Sequence, residues 1–112
     1  MAPGTPASQR IVVVGAGFAL WVGGRCTAAV RWADVVRVRA SITPAGTLAI
    51  RAEMADDSAM DLDEAAPGFD LFLDRAAVML HGLAPFKSWH PALAAGVAGA
   101  LVTIYERPAR LR

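Results

Sequence analysis

WADVVRVRASITPAGTLAIRAEMADDSAMDLDE, residues 32–64, is the stretch whose reading decides the fold. From Val35 to Ile42 the even positions are apolar (Val36, Val38, Ala40, Ile42), while the odd ones include Arg37, Arg39 and Ser41. That alternation is what a half-buried strand requires. Leu48, Ile50, Ala52 and Met54 repeat the even phase, with Thr47, Arg51 and Glu53 between them. Paired residues of an antiparallel hairpin share a face, so two even sets meet only across a loop with an odd number of residues. Pro44-Ala45-Gly46 supplies three, and its chemistry suits a type I turn closed by a left-handed glycine. This pairing sets Ala40 against Ile50. Asp56-Asp57-Ser58 is a second odd loop, predicted to place Met54 opposite Met60 and Ala52 opposite Leu62.

On the outer face this register puts Arg51 between Arg39 and Asp63, and Glu53 between Arg37 and Asp61. Arg37, Arg39, Arg51 and Glu53 are therefore the candidate interaction surface, set against the plainer reading of a balanced, solvated grid. Exposed pairs of this kind are each worth roughly 0.2–1 kcal/mol.

The whole chain narrows the function classes. Its 112 residues suit one domain with a single core. The boundaries read as a leader at 1–9, a domain at 10–108 and a tail at 109–112. A net charge of +1, with Lys87 the single lysine, gives no electrostatic case for nucleic acid. Cys26 stands alone, which excludes an internal disulfide and points to a reducing, cytoplasmic setting. The apolar run from Ile11 to Gly24 is shorter than the ~20 residues a membrane-spanning helix needs, and only weakly imitates a secretory signal.

The same run imitates the opening of a dinucleotide-binding fold, in which a strand and a glycine turn lead into a helix aimed at pyrophosphate. Leu20 stands where Gly or Ala is needed, and Gly23 and Gly24 cost a helix about 2 kcal/mol. The favoured reading is a hairpin, Ile11–Val14 and Phe18–Val22, around Gly15-Ala16-Gly17. Gly23-Gly24 then turns the chain into an extended segment to Trp32, with Cys26, Ala28 and Val30 in one phase. Asp34 belongs to a turn rather than to the core.

Phe69, Phe72, Leu73, Ala76, Leu80 and Leu83 recur at helical spacing after Pro67-Gly68, predicting one main helix that ends near Gly82. Ser88 is read as the cap of a short helical turn reaching Leu93, with Trp89 packed beneath it. Leu101 to Glu106 reads as a closing strand. The fold class is α+β: a strongly bent antiparallel sheet of five to seven strands against one main helix, with a strand after it. Asp70, Asp74 and His81 invite a metal or acid–base reading, but acids early and a histidine late in a helix follow its dipole. His90 has no companion at ligand spacing. No catalytic residue, cofactor or metal is read from the chain.

Trp32 two residues before Asp34, the acids Asp63 and Glu64, the Gly68-Phe69 helix entry, Trp89, and Tyr105 with Arg107 together resemble a family of small, uncharacterised bacterial proteins. The resemblance covers most of residues 30–107 and implies an architecture without an activity. The bent sheet and helix are also similar to the pleckstrin-homology-like fold, where Arg37-Val38-Arg39 echoes a basic lipid-binding strand. Lysine is missing from that echo, acids face its arginines, and a strand follows the helix, so the expectation is against a lipid surface. The function expected is a non-catalytic interaction or self-association module, working through a sheet edge or the small-residue region 92–100. The alternative is a small-ligand protein or enzyme with a helix–sheet pocket lined by Trp21, Trp32 or Trp89, and anionic-lipid binding is a third.

Overall fold

The computed structural model describes residues 9–94, 96 and 100–107, so the leader, the tail and much of the small-residue region lie outside the described residues. Among the described residues seven antiparallel strands form two sheets. The first contains β1 (Gln9–Val14), β2 (Gly17–Val22) and β3 (Arg25–Arg31), in that order. After a single 3-10 turn, Trp32–Asp34, come β4 (Val35–Ile42), β5 (Leu48–Met54) and β6 (Ala59–Asp63). α1 (Phe69–Met79) and α2 (Phe86–Ala94) follow, and β7 (Val102–Glu106) returns beside β4 to give the order β6-β5-β4-β7. This is the predicted α+β class, with the bend so complete that the ladder breaks at Trp32–Asp34.

The first hairpin of the meander has the predicted register, with Ala40 paired to Ile50 and Ile42 to Leu48. Gly46, at φ 85°, donates its amide to the Thr43 carbonyl and closes the three-residue loop. The second loop also has three residues, but they are Ala55-Asp56-Asp57, one position earlier than predicted. Asp57 takes the left-handed position at φ 70° and donates to the Met54 carbonyl, while the Met54 amide bonds the Ser58 carbonyl. Aspartate is among the few residues other than glycine that tolerate this conformation. Asp56 fixes the turn by accepting the Ser58 amide and hydroxyl, and those bonds hold its carboxyl below the usual carboxylate range. The pairs are therefore Ala52 with Met60 and Ile50 with Leu62, two residues from the expected ones, and the apolar phase survives. Asp57→Gly should leave unfolding free energy within about 0.5 kcal/mol, whereas Asp57→Val should lower it by about 1–3 kcal/mol in urea titration.

Four other expectations change. Val14 pairs with Gly17, so the first hairpin turns on Gly15-Ala16 alone. Leu20 pairs with Ala28 and Trp21 with Cys26, leaving Thr27 as a bulge that donates its hydroxyl to the Leu20 carbonyl. Cys26 is thereby moved to the opposite face from Ala28. In β7 a second bulge at Ile104 breaks the expected alternation, so that Ile104 and Tyr105 are both buried. Ser88 is not a cap either: it lies inside α2 and donates to the Pro85 carbonyl.

The core lies between the sheets and α1. Phe72 stacks on Trp32 at 5.8 Å and meets the edge of Phe18 at 4.9 Å, joining helix, 3-10 turn and first sheet. Beneath them Ile50, Leu62 and Ala40 present the predicted inner face of the meander. Asp63 accepts the Thr47 hydroxyl at 3.1 Å and the Ala65 amide at 2.8 Å, and Glu64 accepts the Leu48 amide at 2.7 Å. The two acids thus close the end of the ladder before the helix begins.

Candidate interaction surface

The outer face of the second sheet brings the four candidate residues together. Shifted register places Arg51 between Arg39 and Asp61, and Glu53 between Arg37 and Ala59. Glu53 lies 3.3 Å from Arg37, 3.2 Å from Arg39 and 3.9 Å from Arg51. Arg37 also donates from Nη2 to Glu106 at 2.8 Å, and Arg51 donates from Nη1 to Asp61 at 3.2 Å. The bond and charge of Glu106, with a smaller contribution from Glu53, hold the Arg37 guanidinium above its ordinary value. Arg39 Nε is near Glu53 without its N–H directed there, so that contact is one of charge rather than a hydrogen bond.

Arg37, Arg39, Arg51 and Glu53 line a shallow depression of about 500 Å³ together with Asp57. With Glu106 and Asp61 bonded to its arginines, three guanidiniums meet four carboxylates on this face, which has no surplus positive charge with which to select an anionic partner. Glu53 is its hub. Glu53→Gln should cost about 1–2 kcal/mol of unfolding free energy, because three arginines lose one counter-charge, and the loss should shrink in high salt. Asp61→Asn, at a side chain 69% exposed, should cost less than about 0.5 kcal/mol.

The outer face of the first sheet is chemically opposite. Strand register puts nine residues on it in three rows: Arg10, Trp21 and Cys26; Val12, Ala19 and Ala29; Val14, Gly17 and Arg31. Seven are apolar or glycine and none is acidic. Val14 is 58% exposed and Trp21 37%, and Cys26 and Ala29 are also exposed. A sheet face turned to water ordinarily alternates with polar residues; here both phases of β1 and β2 are apolar, and no described element covers the second one. β3 adds an open edge. Sequence reading did not assign this surface: it took Ile11–Val14 and Phe18–Val22 as a hairpin and gave no account of the second apolar phase, although a strand apolar on both faces signals two coverings.

The remaining candidates do not converge. Asp70 and Asp74 are exposed on α1, while His81 lies beyond the end of that helix at Met79, a turn earlier than predicted. Among the described residues no three or more His, Cys, Asp or Glu are grouped to hold a metal. Trp32 is core and Trp21 is on the outer sheet face, so of the three tryptophans Trp89 alone borders a groove of about 380 Å³ between α1 and the segment leading into α2, apolar except for Asp70 and Asp74. Trp89 donates its indole N–H to the Ala84 carbonyl at 3.0 Å. Gly15-Ala16 joins two strands, so no helix N-terminus follows it to receive pyrophosphate. No described helix is long and apolar enough to cross a membrane. Comparison with protein-family models, curated proteins and solved structures finds no match to this chain.

Proposed function

We propose that this protein is a non-catalytic interaction module of the cytoplasm, and that it docks through the outer face of its first sheet. The observation that carries the reading is the uncovered apolar grid around Trp21, Val14 and Ala19. Burying it removes from water a surface that costs roughly 25 cal/mol per Å² while exposed. The charged face around Glu53 satisfies itself and serves solubility. The single exposed thiol, Cys26, is compatible with a reducing compartment.

Cys26 also supplies the test, because it sits in the grid. Its alkylation rate is measured alone, with excess unlabelled protein, with lipid vesicles and with cell extract. Covering the face should slow alkylation at least about tenfold in one of these mixtures. The reading fails if the rate is the same in all of them. A small molecule that raises the melting temperature and is displaced by Trp89→Ala would then favour a second reading, a ligand held in the groove of Leu73, Ala77, Leu83 and Trp89.

A further inference from the structure

We infer that the outer face of the first sheet docks a second copy of this chain, with Trp21 of one copy seated in the groove beside α1 of the other, an inference that rests on the interaction-module reading and names its partner. The two surfaces are complementary. Trp21, 37% exposed, stands among the small side chains of Ala19, Cys26 and Ala29, so its ring projects from the face as a knob. Arg10 is its cross-strand partner, which sets the two Cβ atoms roughly 5 Å apart. No ion pair engages Arg10 among the described residues. The groove has the matching chemistry. Leu73, Ala77, Leu83 and Trp89 are its apolar wall, and Asp70 and Asp74 stand exposed along one side, a helical turn apart. Neither carboxylate has an ion pair among the described residues. The volume of about 380 Å³ admits an indole ring, and a guanidinium entering beside that ring meets the two acids.

A chain cannot fill its own groove in this way. Phe18 and Trp21 lie on opposite faces of β2, and α1 packs on the Phe18 face through Phe72. Trp21 is therefore turned away from α1 of the same copy, and the ring that enters the groove comes from another. Other occupants find less to recognise. Arg25 pairs with Val22, on the sheet face opposite Trp21, and Arg31 is held by Asp34 at 3.1 Å, which leaves Arg10 as the one unpaired cation of the outer face among the described residues. A polyanion or a membrane surface draws on clustered charge. Two copies stacked face to face would bring Arg10 of each to a grid that includes no acid, whereas the groove supplies two. Three strands and six residues span roughly 15 by 20 Å, so the contact buries about 600 Å² in total, the size of a weak association that responds to concentration.

The test is sedimentation equilibrium of the full chain from about 10 µM to about 1 mM, across which the weight-average mass of wild type should rise by at least about half. Trp21→Ser removes the knob and D70R/D74R turns the groove against Arg10; each should weaken association at least about tenfold. Because the contact joins unlike surfaces, each variant keeps the half that the other lacks. Mixed in equal amounts, they should form a heterodimer that neither forms alone, with an association constant within about threefold of wild type. Arg75→Gln, also exposed on α1 but outside the groove, should change association less than about twofold. Melting curves confirm that each variant is folded, and D70N/D74N, expected to weaken association at least about threefold, takes the place of D70R/D74R if that variant does not fold. The inference is overturned if the mass stays that of a monomer, if either variant associates like wild type, or if the mixture does not pair. Cys26 protected by extract or by vesicles, but not by excess protein, would overturn self-docking and leave the interaction module standing, whereas equal alkylation in every mixture sinks both.

Discussion

Phe72→Ala should lower the unfolding free energy by about 3–5 kcal/mol, the range for deleting a fully buried aromatic ring. Phe72 is 1% exposed and touches Trp32, Phe18 and Phe69, so its ring is shared by α1, the 3-10 turn and the first sheet. Three ring contacts are lost together, and neighbours on three separate elements cannot all move inward to fill the space. For a domain of this size the total is of order 5–15 kcal/mol, so this one ring accounts for at least about a fifth of it. Its midpoint in thermal melting should fall by about 15 °C. The neighbouring Leu71→Ala, at a residue 50% exposed, should cost less than about 0.5 kcal/mol. A Phe72→Ala loss below about 1.5 kcal/mol would mean that the aromatic cluster does not join the layers.

Much of this architecture was legible because β5, β6 and β4 from Val38 onward obey a strict two-residue period, whereas a register shift at Val36 buries Val35 in its place. Ala40, Ile50, Ala52 and Leu62 are all on the inner face, as parity required. Parity does not fix absolute register. A loop moved by one position shifts each pairing by two residues and leaves every side chain on its own face, which is why the exchange of Asp56-Asp57-Ser58 for Ala55-Asp56-Asp57 could not be seen in the hydrophobic pattern. The deciding contribution was local, the left-handed Asp57. Bulges were invisible for a similar reason. Thr27 and Ile104 each add one residue to a ladder, which alternation alone does not mark, and for Ile104 the partner strand β4 is also far away in sequence.

The candidate site was legible in position, and its charge balance only in part. Arg37, Arg39, Arg51 and Glu53 are neighbours, as the pairing predicted, yet Glu106 on the returning β7 completes their neutralisation. No local pattern could supply a partner 69 residues away. The residues that prompted the family resemblance have structural tasks throughout. Trp32, Phe69, Trp89 and Tyr105 are core, and Asp63 and Glu64 close the ladder. The Arg107 amide bonds the Val36 carbonyl at 2.8 Å, and its guanidinium donates to the Ala33 carbonyl. A signature made wholly of such positions describes a scaffold, and it leaves function to the surface that no packing role explains.

Gly68→Ala should be as damaging as the loss of the ring, for reasons that three glycines can separate. Gly68 enters α1 at φ 91°, and a Cβ there would stand 2.0 Å from the Ile11 carbonyl oxygen. The obstacle is backbone and has no rotamer to change. Ile11 is also tied to this point through its amide, which donates to the Pro67 carbonyl at 2.8 Å. Added bulk must therefore push β1 away from the helix entry or unwind the first turn. Left-handed strain contributes about 1–3 kcal/mol and overpacking about 1–3 kcal/mol more, giving a loss of about 2–6 kcal/mol. Gly46→Ala isolates the first contribution, because Gly46 is at φ 85° with open space around it. Gly17→Ala isolates the second: its φ is ordinary, but a Cβ would meet the Val30 carbonyl oxygen at 2.0 Å. If the Gly68→Ala loss in urea titration roughly equals the sum of the other two, strain and crowding act separately. A Gly68→Ala loss no larger than that of Gly46→Ala would show that β1 yields freely at Ile11, and that the first sheet is held to the helix by its aromatic core alone.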